Sequence, residues 1–310
     1  MLKPFQFLLP LLCLQLCCKV DAPPVQTETV KTIVIVMDGA RYSETFGDLQ
    51  RTNIPGLSNM AASGILFENF FTCGPTYTNA GHLSITTGSD ESINNSGMEY
   101  PLFPSYFQLW SEKSGKKRKC YIVASKDKLE ILANTRQAQW KDRFVPETVC
   151  GVSGNGSGYC HDSVTLQRSL HILANEKPDH MLINFREPDY SGHNNNWQEY
   201  LEGIRLIDTY ITAIWELIKT DAYYAGKTNI FITNDHGRHD DNNGGFSSHG
   251  DACHGCRKIM LVGWGANILP GRVVQTTYSL CDLHASLSKL MGLENTYGKG
   301  TVISEIFNRE

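Results

Sequence analysis

The chain has 310 residues, a formal net charge of −4, 41% hydrophobic residues and 19% charged residues. This balance excludes a disordered tail and a strongly basic nucleic-acid-binding protein, so no nucleic-acid-binding module is expected. The length is enough for one large domain, and it also permits two.

Residues 1–22 have the layout of a secretory signal peptide. A lysine lies near the start, an apolar stretch runs from about Phe5 to Cys18, and small residues follow up to Ala22. The apolar stretch is shorter than the roughly 20 residues that a membrane-spanning helix needs. We expect cleavage after Ala22 and an exported chain, secreted or otherwise extracytoplasmic, with no membrane span. An uncleaved anchor, or a lipid on Cys17 or Cys18, is the alternative.

Along residues 23–310, β-branched apolar runs alternate with helical patterns. This alternation predicts βαβ units in an α/β fold, with a mostly parallel central sheet and helices on both faces. No repeat, low-complexity tract or linker interrupts it, so a single domain is expected. The predicted elements are strand 32–37, helix 54–63, strand 65–72, helix 79–87, helix 104–113, strand 119–124, helix 162–174, strand 181–185, helix 197–219, strand 229–233, strand 258–262 and helix 279–291.

Seven cysteines remain after the predicted signal peptide. Because an exported protein meets an oxidising compartment, their spacing favours disulfides between Cys150 and Cys160 and between Cys253 and Cys256. The last two also have the spacing of a zinc knuckle, but no second pair of this kind accompanies them, which favours the disulfide. The odd number leaves one thiol free.

Acidic residues and histidines follow several predicted strands. Asp38 directly follows the first strand, Asp189 lies in the loop after a later one, and Asp235 and His236 follow another. Ligands of open parallel sheets bind outside the carboxyl ends of the strands. A single aspartate there is often a turn or cap residue, but three strand ends with such residues indicate one crevice lined by carboxylates and imidazoles.

The donor set predicts two divalent metal ions, with zinc favoured. Carboxylates and neutral imidazoles suit Zn²⁺, and also Mn²⁺ or Fe. Two cations roughly 3.5 to 4 Å apart can hold an attacking and a leaving oxygen together. If these groups converge, the protein is a hydrolase. The expected set is Asp38, Thr78, Asp189, His193, Asp235, His236 and His249.

Thr78 is the candidate nucleophile. A cation beside its hydroxyl would favour the alkoxide. Thr78 immediately precedes the predicted helix 79–87, where the backbone N–H groups of Asn79 and Ala80 and the positive helix end favour an anion. The alternative is that Thr78 serves only as a helix cap.

The order of these residues resembles the alkaline phosphatase superfamily, and most closely its type I phosphodiesterase and nucleotide pyrophosphatase branch. The resemblance covers residues 33 to about 265, and the segments EPDYSGH and NDHG are its most specific parts. It implies hydrolysis of phosphate esters through a covalent phosphothreonine, with two zinc ions. It also implies one metal held by Asp189, His193 and His249, and a second held by Asp38, Asp235 and His236 with Thr78 beside it.

The resemblance further implies an asparagine that steadies a phosphate oxygen. Asn95 or Asn94 is the nearest match, although the spacing from the nucleophile is shorter than in the family. Asn94 also begins a glycosylation sequon, and a glycan there would conflict with this role; a second sequon begins at Asn155.

Three histidines lie within reach of the last ligand position. His249 precedes Gly250 and resembles the family's His-Gly pattern, so it is favoured over His254. His239 is expected to face solvent or a substrate group. His82, four residues after the nucleophile, is interpreted as a packed helix histidine rather than a base.

The expected substrate is a small-molecule phosphate ester, with phosphodiester or pyrophosphate bonds favoured by the resemblance. Residues 75–78 contain no cysteine or serine of the sulfatase type, so a sulfatase is a weaker alternative. A dedicated cation would favour a dianionic monoester, and Arg41 and Arg186 lie near ligand segments, so phosphomonoesterase and phosphonate hydrolase stay open. A metal-binding ectodomain without turnover and a purely structural ectodomain are the non-enzymatic alternatives.

Overall fold

The computed structural model describes residue 1 and residues 30–115 and 119–307. Apart from its first residue, the predicted signal peptide lies outside this part of the chain. The strands are β1 (Lys31–Met37), β2 (Ile65–Phe71), β3 (Cys120–Ala124), β4 (Glu147–Cys150), β5 (His180–Phe185), β6 (Thr228–Thr233), β7 (Lys258–Gly265), β8 (Arg272–Val274) and β9 (Tyr278–Ser279). The helices are α1 (Pro55–Ala62), α2 (Thr78–Thr87), α3 (Tyr106–Lys113), α4 (Asp162–Asn175), α5 (Asp189–His193), α6 (Trp197–Thr220), α7 (His254–Arg257) and α8 (Leu280–Leu290).

These strands form one sheet in the order β4-β3-β5-β1-β6-β7-β2-β8, and β9 pairs with β2. Strand β7 runs antiparallel to its neighbours β6 and β2, whereas the other pairings are parallel. All seven residues of β1 are buried, as expected for a strand covered on both faces. The predicted α/β fold with a mostly parallel sheet is confirmed.

Helices cover both faces of the sheet because side chains alternate along each strand. Val34 and Val36 of β1 point into a core shared with α2, α3 and α8. Ile33 and Ile35 point into the opposite core, which α1, α4 and α6 cover. Helix α6 buries isoleucines at three- and four-residue spacing against that face, as its sequence pattern predicts.

Each predicted element has an observed counterpart, with ends that differ by no more than three residues. The pattern missed β4, β8 and β9 and the helices α5 and α7. These elements have two to five residues, which is too short for a periodic pattern to show.

The disulfide prediction was wrong. The structure joins Cys73 to Cys281, with their Cα atoms 5.6 Å apart, and ties the loop after β2 to α8. Cys150 and Cys160 are separate thiols. The Cys150 sulfur faces the Ile122 carbonyl, and the Cys160 sulfur faces the Thr165 hydroxyl. Cys253 and Cys256 are also unbridged, so more than one of the seven thiols is free.

Within residues 30–115 and 119–307, no helix is both long and apolar enough to cross a bilayer.

Candidate metal centre

Three neighbouring parallel strands bring the predicted acidic residues to one edge of the sheet. In β1, Met37 is level with Phe185 of β5, and Val36 is level with Thr233 of β6. The chain then continues from each strand end to an aspartate. The buried aspartates at this edge are Asp38, Asp189 and Asp235.

Asp189, His193 and His249 form the first group of donors. Asp189 Oδ1 lies 3.5 Å from His193 Nε2 and 3.4 Å from His249 Nε2, and the two imidazole nitrogens are 3.0 Å apart. Each residue offers one donor atom, and these three atoms all lie within 4.8 Å of one another. His193 is the outermost ligand, with 54% of its side chain exposed.

Asp38, Asp235 and His236 form the second group. His236 Nε2 lies 3.6 Å from Asp38 Oδ1 and 3.5 Å from Asp235 Oδ2. Both His236 Nε2 and Asp235 Oδ2 are buried without a hydrogen-bond partner. Buried polar atoms are rarely left unpaired, and a cation between these two would satisfy both.

One histidine of each group is oriented by a backbone carbonyl. His236 Nδ1 contacts the Gly237 carbonyl at 2.8 Å, and His249 Nδ1 contacts the Thr76 carbonyl at 2.9 Å. When Nδ1 donates in this way, Nε2 keeps its lone pair for a metal. Burial lowers the pKa of His236 to about 3 and that of His249 to about 4, which keeps both rings neutral.

Thr78 reaches the same crevice, but not as a helix cap. It is the first residue of α2, and the cap position belongs to Tyr77, which makes no side-chain capping bond. The cap interpretation of Thr78 is therefore wrong. Its hydroxyl instead lies 3.1 Å from Lys126 Nζ.

Lys126 is the main residue that sequence reasoning missed. It is 2% exposed, and its ammonium group donates to Asp38 Oδ1 at 2.8 Å and to Asp189 Oδ2 at 2.7 Å. Burial alone would lower the pKa of Lys126, but the charges of Asp189, Asp38 and Asp235 hold it above the usual value. A signal was present, since Lys126 lies two residues after a predicted strand, as Asp235 does.

Arg238 is a second missed residue. Its fully buried guanidinium donates to Asp189 Oδ1 and also to the Phe246 and Ser247 carbonyls, in the segment that leads to His249. Burial opposes ionisation of Asp189, but Lys126 and the other positive groups around it hold its pKa well below the usual value. Asp189 is thus an ionised oxygen donor that faces both groups.

Asn95 and Lys128 lie beside the start of α2. Asn95 Oδ1 accepts hydrogen bonds from the Asn79 backbone N–H and from Lys128 Nζ, each at 3.0 Å. The Asn79 N–H is therefore already paired, contrary to its expected role as an anion donor. Because the oxygen of Asn95 is occupied, its amide NH₂ is the group left to donate to a ligand.

His82 and Asn184 contact the carboxylates of the second group. His82 is fully buried, with Nδ1 at 2.9 Å from the Thr78 carbonyl and 3.4 Å from Asp235 Oδ2. Asn184 Nδ2 donates to Asp38 Oδ2 at 3.0 Å. These contacts agree with the interpretation of His82 as a packed helix histidine, and they also place it against the donor set.

The two arginines near the ligand segments point elsewhere. Arg41 pairs with Glu44 and Asp241. Arg186 stacks on the Tyr190 ring, with 4.0 Å between the guanidinium carbon and the ring centre. The cationic side chains that do reach the crevice are Lys126 and Arg238.

Two glycines make the close packing possible. Gly39 has a φ of +65°, and a Cβ there would meet the Asp189 carboxylate at 2.7 Å. A Cβ at Gly81 in α2 would overlap the Asp235 carbonyl. Glycine therefore lets α2, which carries Thr78, lie directly against the Asp235 segment.

Comparisons with known proteins show which family and which fold this chain resembles. The sequence profile of the Metalloenzyme superfamily matches residues 30–295. The chain is 23% identical over 240 residues to ectonucleotide pyrophosphatase/phosphodiesterase family member 1 of Mus musculus, a match of 71% of this chain and 26% of that protein. It is 27% identical over 122 residues to a 2,3-bisphosphoglycerate-independent phosphoglycerate mutase of Haloquadratum walsbyi, covering 38% of this chain and 22% of the mutase. The chain thus spans about a quarter of the length of the curated relatives it matches.

Solved structures show the same fold. Murine ectonucleotide pyrophosphatase/phosphodiesterase 5 in complex with AMP has a TM-score of 0.63 and 12% identity, with 88% of this chain and 97% of that chain covered. A phosphonate monoester hydrolase from Silicibacter pomeroyi has a TM-score of 0.66 and 15% identity, with 91% and 77% covered.

Proposed function

Because the chain belongs to the Metalloenzyme superfamily, whose fold is that of alkaline phosphatase, we propose that it is a phosphate ester hydrolase with Thr78 as its nucleophile. One observation carries the proposal. The Thr78 hydroxyl shares a buried crevice with two groups of carboxylate and imidazole donors. Two atoms of that crevice, Asp235 Oδ2 and His236 Nε2, lack a hydrogen-bond partner.

The residues fit two divalent ions, and we propose zinc. Asp189, His193 and His249 would hold one ion. His236, together with Asp38 and Asp235, whose carboxylate oxygens lie 3.5 to 3.6 Å from His236 Nε2, would hold the other, with Thr78 beside it. When bound, the ions supply positive charge that lowers the pKa of a ligated hydroxyl and neutralises phosphate oxygens.

The protein's own groups supply the rest of the chemistry. Thr78 Oγ1 would lose its proton to solvent and attack phosphorus, forming a new P–O bond as the P–O bond to the leaving alcohol or phosphate breaks. Water would then hydrolyse the phosphothreonine, releasing phosphate or its monoester and restoring the hydroxyl. Lys126 Nζ, 3.1 Å from that oxygen, would stabilise negative charge there. The free NH₂ of Asn95 would donate to a non-bridging phosphate oxygen.

The favoured substrates are small phosphodiesters or pyrophosphates. The similarity to ectonucleotide pyrophosphatase/phosphodiesterase family member 1 supports this class. A phosphomonoesterase is the second candidate, because Lys126 and Lys128 place two ammonium groups near Thr78 and Asn95, which suits a dianionic phosphate. We also propose that the chain is secreted after cleavage at Ala22.

A substrate panel tests the proposal. Purified protein with Zn²⁺ is assayed on nitrophenyl phosphate, bis-nitrophenyl phosphate, phenylphosphonate esters and nitrophenyl sulfate. We expect the diester to be cleaved fastest, and faster cleavage of the monoester would favour the second candidate. Thr78→Ala should abolish turnover while its metal content stays near normal, and Thr86→Ala, on the same helix but away from the crevice, should keep activity. Normal rates in Thr78→Ala would remove this residue from the mechanism.

A further inference from the structure

A separate cluster of potential metal ligands lies in the segment between β6 and β7. His239, Asp251, Cys253 and Cys256 each offer one donor atom, and these four atoms lie within 4.8 Å of one another. None of the four belongs to the crevice around Thr78. From this cluster we infer a third metal site, which binds one zinc ion through two thiolates, one imidazole and one carboxylate.

The donor set is that of a structural zinc site. Tetrahedral zinc with bonds of about 2.0 Å to nitrogen or oxygen and about 2.3 Å to sulfur has ligand atoms roughly 3.3 to 3.8 Å apart. His239 Nε2 and Asp251 Oδ2 are already 3.3 Å apart. Sulfur and imidazole donors select zinc over magnesium or calcium.

The imidazole of His239 is arranged as a ligand rather than as a hydrogen-bonding group. Its Nε2 is buried and has no hydrogen-bond partner. Asp251 Oδ2 lies 3.3 Å away, but the two atoms are not aligned for a hydrogen bond. The sequence-based expectation was that His239 faces solvent or a substrate group, and its side chain is 16% exposed. An ion shared by the two residues would satisfy both atoms.

The turn that holds the two cysteines is shaped for metal binding. Cys253 lies at the cap position of α7, and its sulfur accepts a hydrogen bond from the Cys256 backbone N–H at 3.4 Å. The Asp251 carboxylate also accepts from the Cys253 backbone N–H at 3.0 Å. Zinc binding would displace the two thiol protons to solvent.

The site would fix the segment that carries His249. The ligands flank that residue in the sequence, with His239 before it and Asp251 after it. The Cys256 carbonyl accepts a hydrogen bond from the Gly237 N–H at 2.8 Å, next to His236. An ion in this cluster would therefore help to fix the positions of His236 and His249 from outside the crevice.

Metal analysis of the intact chain tests the inference. The double variant Cys253→Ser, Cys256→Ser should contain one equivalent of zinc fewer than the wild type. His254→Ala is the matched control, because His254 lies between the two cysteines, is exposed and is outside the cluster; it should keep the full zinc content.

Cobalt substitution gives a readout that is independent of hydrolysis. Cobalt(II) bound to thiolates absorbs in the near ultraviolet by charge transfer from sulfur. Among residues 30–115 and 119–307, no cysteine belongs to the donor groups around Thr78. The wild type and Asp235→Asn should both show this absorption, and the double cysteine variant should lose it. Failure of the proposed hydrolase function would leave the band unchanged.

Two results would overturn the inference. One is an intact mass and peptide map showing a Cys253–Cys256 disulfide in the purified protein. The other is equal zinc content in the wild type and the double variant, with no sulfur-to-cobalt absorption in either.

Discussion

Lys126 Nζ lies 3.1 Å from Thr78 Oγ1 and also bridges the carboxylates of Asp38 and Asp189. The ammonium group thus connects the candidate nucleophile to both groups of candidate metal ligands. Since a buried cation next to a reacting oxygen stabilises charge that develops there, Lys126 is expected to act on the rate of the chemical step.

Replacing Lys126 with methionine keeps an unbranched side chain that is one atom shorter and removes its charge. We expect kcat to fall about 10²- to 10³-fold, the usual cost of losing one such electrostatic contact. Zinc content should stay the same or rise, because a competing cation has been removed from Asp38 and Asp189. Steady-state kinetics and metal analysis measure both effects, and Lys141→Met, on the exposed surface, is the control. An unchanged kcat would exclude the catalytic role of Lys126.

Replacing Asp235 with asparagine should lower both zinc content and activity. The change removes the charge at the unpartnered Oδ2, while the amide oxygen can still accept from the Gly39 and His236 N–H groups as Oδ1 does now. We expect the loss of about one zinc ion, because Asp235 is a proposed ligand of one of the two ions in the crevice. Asp208→Asn is a matched control, because Asp208 is also buried but caps α1 far from the crevice. Unchanged zinc stoichiometry in Asp235→Asn would argue against its role as a ligand.

The pH dependence of substrate binding should report on Lys128. Burial, followed by the neighbouring charge of Lys126, lowers the pKa of Lys128 to about 8. Lys128 is therefore charged below this pH and neutral above it, so attraction for an anionic substrate is lost as the pH rises through 8. We expect KM to increase above pH 8.

The variant Lys128→Arg separates this effect from other titrations. Arginine stays protonated throughout this range, so the increase in KM above pH 8 should disappear. If Lys128→Arg shows the same increase as the wild type, another group is responsible.

The bridge between Cys73 and Cys281 should contribute strongly to stability. It closes a loop with a sequence separation of 208 residues, for which the chain-entropy estimate is about 5 kcal/mol. The double variant Cys73→Ser, Cys281→Ser should unfold at a lower urea concentration than the wild type. Reductant should destabilise the wild type but not the variant. A peptide map without a Cys73–Cys281 link would contradict the structure at this point.

The long strands were predictable because burial on both faces leaves a continuous apolar run. The long helices were predictable because their apolar residues recur with helical spacing. Asp38, Asp189 and Asp235 could be found in the same way, since each follows such a strand. Lys126 obeyed the same rule but was missed, because a lone lysine after a strand is usually a solvated residue. The pairing of Cys73 with Cys281 was not predictable, because nothing local records an approach between such distant segments.

The sequence by itself determined the order of the longer elements, the α/β class and the types of donor group, because hydrophobic period and residue chemistry are local properties. Only the tertiary structure decided which residues meet. Parallel pairing of β1 with β5 and β6 aligned the acidic strand ends, the close approach of α2 at Gly81 brought Thr78 to them, and the return of the chain between β6 and β7 gathered His239 with Cys253 and Cys256. Such contacts depend on distances in space, which the spacing of residues along a chain does not record.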